Sequence, residues 1–256
     1  MFTRYVALGD SQTEGLLDGD ETHGYRGWAD RLAALLATVQ PDLRYANLAV
    51  RGQLARQVRD TQLAPALALR PDLATVMAGV NDILRRRFDQ EAVRTHLESM
   101  FAELTGAGAH VLTVTFPDPA RLMPAARLLS TRALRLNAAI RAAAEPHGVT
   151  VVDMARYPIS SDPRLWSADR LHLNSLGHTT MAAAAAHALG LPGSGPEWSA
   201  ALDPLARPAL RRRAEAELRW IAGVAGPWLL RRVRGRSSGD ERVAKRPDLA
   251  PFTVEP

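Results

Sequence analysis

Tyr5-Val6-Ala7-Leu8-Gly9-Asp10-Ser11-Gln12-Thr13-Glu14-Gly15 opens the chain with an apolar run that breaks at a glycine into a short polar turn. Four consecutive apolar residues stopped by glycine read as a strand buried on both faces, the kind found in the middle of a parallel sheet. A serine at the carboxyl end of such a strand, with glycines on either side to let the backbone turn sharply, presents its hydroxyl to the crevice above the sheet. On its own the stretch reads equally as an ordinary strand-to-helix turn with an Asp/Ser cap.

Working outward, four more strand-like runs follow: Tyr45–Val50, Leu73–Ala78, His110–Phe116 and Val149–Met154. Helical patterns fill the intervals at Gly27–Val39, Gln53–Leu69, Phe88–Leu104 and Ser130–Ala144, and a last helix runs from Ser175 to about Leu189. Strands alternating with helices predict an α/β fold with a five-stranded parallel sheet covered on both faces. Leu191-Pro192-Gly193-Ser194-Gly195-Pro196 cannot continue a helix, and the composition beyond it shifts to Arg and Trp. The expected organisation is an α/β domain over 1–192, a basic helical extension over 193–236 and a mobile polar tail over 237–256.

The chain of 256 residues is 46% hydrophobic and 23% charged, enough apolar material for a sizeable core. It contains no cysteine, which removes disulfides, thiolate nucleophiles and cysteine-ligated metal. Its one lysine, Lys245, falls in the tail, so the body is expected to lack a P-loop or Schiff-base lysine. The net charge of +5 is uneven: from Leu205 onward there are 12 Arg+Lys against 6 Asp+Glu. A nearly neutral body argues against a nucleic-acid partner, whose phosphates call for clustered cations. No secretory leader precedes Tyr5 and no apolar run reaches the ~20 residues of a membrane span, so the expected location is cytoplasmic.

A serine nucleophile needs a base. Of the seven histidines, His172 stands apart in Asp169-Arg170-Leu171-His172, between the last strand and the last helix. A carboxylate three residues earlier can hold the imidazole in the tautomer that leaves Nε2 free. An attacked carbonyl also needs donors for its developing oxyanion, and two candidates leave other strand ends: the Gly52 N–H in Arg51-Gly52 and the Asn81 side chain in Gly79-Val80-Asn81-Asp82. Each block has a bland reading as a turn or a cap. Four of them, at the ends of different strands or just before the last helix, point to one site.

With these blocks in this order, the chain resembles the SGNH (GDSL-type) hydrolase superfamily over roughly its first 190 residues. The resemblance rests on Gly9-Asp10-Ser11, on Gly52 in Asn47-Leu48-Ala49-Val50-Arg51-Gly52, on Gly79-Val80-Asn81-Asp82 and on Asp169-Arg170-Leu171-His172. It implies a flavodoxin-like three-layer α/β/α sandwich, Ser11 as nucleophile, His172 as base and Asp169 as the acid that orients it. It further implies an oxyanion hole from the Ser11 N–H, the Gly52 N–H and the Asn81 amide. No metal site suggests itself, because H-E-x-x-H is absent and the His172-to-His178 spacing does not set two imidazoles on one helix face, and no cofactor is expected.

For substrate contacts, Phe116, Leu122, Met123 and Trp166 stand in the loops that should wall the pocket. Their apolar character favours a small-molecule carboxylic ester of short or medium acyl chain. An O-acetyl carbohydrate esterase, a thioesterase and an acyltransferase use the same triad, and an inert scaffold with an anionic-surface-binding tail is the non-enzymatic reading. Gly235-Arg236-Ser237-Ser238-Gly239 matches G-x-S-x-G but lacks the preceding apolar strand that gives that motif meaning. Residues 208–225 can form an amphipathic helix with Leu210, Ala214, Leu218 and Ile221 along one side. It is expected to pack this stripe on the body; in the other reading Trp220, Trp228, Leu229 and Leu230 give the tail a weak contact with an anionic membrane surface.

Overall fold

The computed structural model describes residues 1–204, 210–225, 239 and 242–253. β1 (Arg4–Gly9) leads into the single-turn helix α1 (Ser11–Glu14) and a small hairpin, β2 (Gly19–Asp20) with β3 (Gly24–Tyr25). The alternating part follows as α2 (Trp28–Val39), β4 (Arg44–Asn47), α3 (Ala55–Ala68), β5 (Leu73–Met77), α4 (Val80–Ile83), α5 (Gln90–Gly106) and β6 (His110–Val114). Then come α6 (Pro119–Leu122), α7 (Ser130–Ala144), β7 (Thr150–Val152), α8 (Ser175–Ala188), α9 (Leu210–Trp220) and β8 (Arg246–Pro251).

The main sheet has the order β7-β6-β5-β1-β4-β8. The first five of these strands pair in parallel, and β1 lies between β4 and β5 with Tyr5 opposite both Tyr45 and Leu73. Tyr5, Val6, Ala7 and Leu8 are fully buried, as strands covered on both faces must be. The chain moves one way from β1 to β4 and the other way from β4 through β5 and β6 to β7. Right-handed crossovers therefore put α2 on one face and α3, α5 and α7 on the other. α8 packs beside α2, while α5 packs against both α3 and α7. Trp28, Leu32 and Leu36 form the buried stripe of α2, and Val93, Leu97, Met100, Phe101 and Leu104 that of α5. Each such side chain contributes about 1.5–3 kcal/mol on burial. The strand order reverses at β1, so the crevice used by open α/β sheets lies over the carboxyl ends of β1 and β5.

The sheet has six strands rather than five. The sixth, β8, comes from the segment that its polarity and prolines assign to a mobile tail, and it pairs antiparallel with β4. Pro247 and Pro251 are compatible with it because β8 is an edge strand whose outer groups need no partner. Leu249 turns into the core, and the Phe252 ring meets Tyr45 edge-on with centroids 5.6 Å apart. Lys245, placed by its sequence position far from the body, instead donates from Nζ to the Glu14 carbonyl at 2.6 Å, the Tyr25 carbonyl at 2.7 Å and the Asp30 carboxylate at 2.6 Å.

α9 also departs from expectation. Leu218 and Ile221 of its apolar side are exposed, the side chains of Leu210 and Ala214 lie outside the described residues, and the described contacts with the body are those of Glu217 and Trp220. Trp228, Leu229, Leu230 and the Gly235–Ser238 part of the G-x-S-x-G match lie outside the described residues. Among the described residues, no helix is long and apolar enough to cross a membrane.

Candidate active site

The turn after β1 is fixed from several sides. The Asp10 side chain caps α1, accepting the Gln12 N–H at 3.3 Å. The Gln62 side chain from α3 bonds both the N–H and the carbonyl of Gly9, each at 2.8 Å. At the far end Gly15 takes φ +91°, and a Cβ there would stand 2.3 Å from the Gly27 nitrogen, so the turn and the start of α2 touch backbone to backbone. Held this way, Ser11 is 8% exposed, with Oγ 2.9 Å from Nε2 of His172.

His172 comes from the loop before α8. Its Nδ1 lies 2.6 Å from Asp169 Oδ2, while Asp169 Oδ1 accepts the N–H groups of Leu171 and His172 at 3.0 Å each. Burial raises the Asp169 carboxyl, but the hydrogen bond and charge of His172 and the two backbone donors outweigh it and hold the group below the usual carboxylate range. An ionised Asp169 fixes the imidazole orientation and suits it to accept a proton at Nε2. The loop also closes on itself, the Ser167 N–H donating to the His172 carbonyl at 2.8 Å. Asn174 caps α8 through the Gly177 N–H and sends its amide back to the Arg164 and Trp166 carbonyls. Arg170, between Asp169 and His172, takes φ +58°, a left-handed conformation that costs a non-glycine residue about 1–2 kcal/mol.

On the other side of Ser11, Arg51-Gly52 forms a turn with Gly52 at φ +78°. Arg51 is buried with Glu14: its N–H donates to Glu14 Oε2 at 2.8 Å and its Nε to Oε1 at 2.9 Å. Asn81 Nδ2 lies 3.0 Å from Asp10 Oδ2 and 3.1 Å from the Gln53 carbonyl, so its amide joins the turn after β1 to the turn after β4. Burial is the main influence on Asp10 and pushes its carboxyl up to about 6, against the opposing pull of the Gln12 N–H, His172 and Asn81.

The four substrate-contact candidates separate. Phe116 and Trp166 line a small apolar cavity of about 20 Å³ behind Gln12, with Met77, Met154 and Leu173. Leu122 and the other side of Trp166 line an open cleft of about 510 Å³. Met123 is buried at 6% exposure. Two residues of the opening motif have a part that spacing did not suggest. Gln12 bridges to the His172 loop, Nε2 donating to the Leu171 carbonyl at 2.8 Å and Oε1 accepting the Leu173 N–H at 3.2 Å. Asp10 bonds Asn81 as well as capping α1. Their polarity inside a tight turn was the available signal, since a buried polar side chain must find partners. Among the described residues, no group of three or more His, Asp or Glu could hold a metal ion.

Residues 7–180 match the model of the GDSL-like lipase/acylhydrolase family. No curated protein matches the chain. Among solved structures, an alpha/beta hydrolase enzyme from the metagenome of Lake Arreo, Spain, is 25% identical with a TM-score of 0.62, covering 73% of this chain and 95% of that one. The lipase/acylhydrolase from Enterococcus faecalis is 23% identical at a TM-score of 0.60, over 72% and 94% of the two chains. A variant of the acetyl xylan esterase of Geobacillus stearothermophilus is 18% identical at 0.60, over 73% and 94%. The last two are likenesses of fold.

Proposed function

The chain belongs to the GDSL-like lipase/acylhydrolase family and is an ester-hydrolysing enzyme, and from that premise we propose that it is a serine esterase acting on carboxylic esters of short or medium acyl chain through an acyl-enzyme. The observation that carries the reading is the unbroken series from Ser11 Oγ through the two ring nitrogens of His172 to Asp169, at 2.9 and 2.6 Å. As Oγ bonds to the ester carbonyl carbon, His172 Nε2 takes its proton, and the ionised Asp169 stabilises the imidazolium. The carbonyl oxygen becomes an oxyanion, for which the N–H groups of Ser11 and Gly52 and the Asn81 amide are the donors in this reading. Asn81 Nδ2 rests on Asp10 and Gln53 and shares one of those hydrogens with the oxyanion when charge develops. Collapse breaks the bond to the alcohol, which leaves with the proton from His172. Water, deprotonated by the same nitrogen, then attacks the acyl-serine; the bond to Oγ breaks, Oγ takes the proton back from His172, and the acid is released.

Turnover of p-nitrophenyl acetate and butyrate tests the reading. The wild-type chain hydrolyses both, and Ser11→Ala loses at least ~10³-fold in kcat with an unchanged melting temperature. Wild-type rates from folded Ser11→Ala protein contradict it.

A further inference from the structure

α9 lies outside the match to the family model, which ends at residue 180, yet it stands against the loop that carries Asp169 and His172. Arg170 Nη1 donates to Glu217 Oε1 at 2.7 Å, and its guanidinium lies 4.6 Å from the centre of a Trp220 ring. Between the loop and α9 opens the 510 Å³ cleft, whose walls include Pro163, Trp166, Arg170 and Trp220, with Arg121 and Leu122 of α6 facing them. That volume falls within the range of small-molecule sites. Arg170 is two residues from His172, no more than about 7 Å away between Cα atoms, and Ser167 and Ala168 of the same loop also line the cleft, so it borders the loop that carries the imidazole.

The side chains define what the cleft accepts. Trp166, Trp220, Leu122 and Pro163 offer flat apolar surface, and the Trp166 Nε1–H is already used by the Ser160 carbonyl at 3.0 Å. Arg170 is neutralised by Glu217. Arg121 is exposed, and its guanidinium has no hydrogen-bond or ion-pair partner among the described residues. A lone cation beside two indoles suits a flat apolar body that ends in an anion. We propose that this cleft is a substrate subsite that receives the end of the ester remote from the scissile bond and selects a flat or extended apolar group carrying an anion, with Trp220 and Arg121 as its specificity-determining residues. The proposal rests on the esterase reading and deepens it: the C-terminal extension sets which esters are taken.

Two matched pairs of esters test the two directions in which a substrate could lie. One pair, 6-acetoxy-2-naphthoate and its methyl ester, carries the anion on the alcohol side. The other, mono(4-nitrophenyl) suberate and 4-nitrophenyl octanoate, carries it on the acyl side. In at least one pair, Arg121→Ala lowers kcat/KM for the anionic member about tenfold relative to the neutral one. Trp220→Ala lowers both members of that pair, Trp220→Phe restores most of the loss, and p-nitrophenyl acetate, too short to enter the cleft, changes less than twofold in every variant. Melting temperatures establish that the variants are folded. An anionic-to-neutral ratio that Arg121→Ala leaves unchanged in both pairs, with p-nitrophenyl acetate still hydrolysed, overturns the subsite and leaves the esterase reading standing. If the wild-type chain hydrolyses none of the five esters, the esterase reading falls and the subsite with it.

Discussion

The turn that carries Ser11 and the loop that carries His172 meet at one 2.9 Å contact but are held in different ways. The turn is fixed by the body of the fold: Gln62 of α3 on the Gly9 backbone, Gly15 against Gly27, and Asp10 on Asn81. Those partners lie within the stretch shared with the family, and Lys245, from outside it, adds one bond at the Glu14 carbonyl. The loop is held by bonds within itself and by the bridge from Gln12, and α9 meets it at Arg170 from outside that stretch. The sheet thus positions the hydroxyl, whereas the imidazole is positioned by short-range contacts that a single substitution can loosen.

Gln12→Ala is the sharpest way to separate the two. It removes both bonds to the base loop while leaving Asp10, Gly9 and Ser11 with their own partners. The expected result is a fall in kcat of about tenfold or more with KM little changed, because a misplaced base weakens the transition state and not ground-state binding. A fall in melting temperature with kcat unchanged would instead make Gln12 a structural residue. Glu217→Gln, tested beside it, frees Arg170 from its ion pair but leaves Gln12 in place, and should cost p-nitrophenyl acetate turnover less than twofold. A loss as large as that of Gln12→Ala would mean that α9 also positions the base.

A smaller effect, on stability, comes from the far side of the loop. His178 of α8 is buried, its Nδ1 accepts the Trp28 N–H at 3.1 Å, and burial lowers its pKa to about 3. The unfolded chain takes up a proton at this histidine below about pH 6.5, which the folded chain refuses until about pH 3. Its contribution is therefore present above about pH 6.5 and is lost as the pH falls through the interval, by about 2 kcal/mol between pH 8 and pH 5. His178→Gln keeps an acceptor for Trp28 and cannot titrate. Denaturant melts at the two pH values should show the difference shrinking by about that amount, and an unchanged difference would place the acid lability elsewhere.

The alternation of apolar runs and helical patterns was enough to read the five parallel strands and the helices between them, because two-sided burial leaves an uninterrupted apolar signature. Ser11, Gly52, Asn81, Asp169 and His172 were legible as candidates because each stands in a short polar block at a strand end or before α8. β8 was not legible: an edge strand needs few apolar residues and tolerates proline, so Arg246–Pro251 reads as tail until Leu249 and Phe252 are seen against the body. The docking of α9 was hidden for a related reason. Its amphipathic pattern drew attention to Leu218 and Ile221, whereas the contact is made by Glu217 and Trp220, whose value depends on Arg170, 47 positions away from Glu217 in sequence. The bridging role of Gln12 likewise depends on a loop 159 residues away.

Whether Ser11 is the activated nucleophile is tested by treating the folded chain with a fluorophosphonate probe and mapping the adduct by peptide mass spectrometry. The expected result is a single stoichiometric adduct on Ser11, absent from Ser11→Ala and strongly slowed in His172→Ala. An adduct on another serine, such as Ser237, or ester turnover by a chain whose Ser11 stays unlabelled, would contradict it.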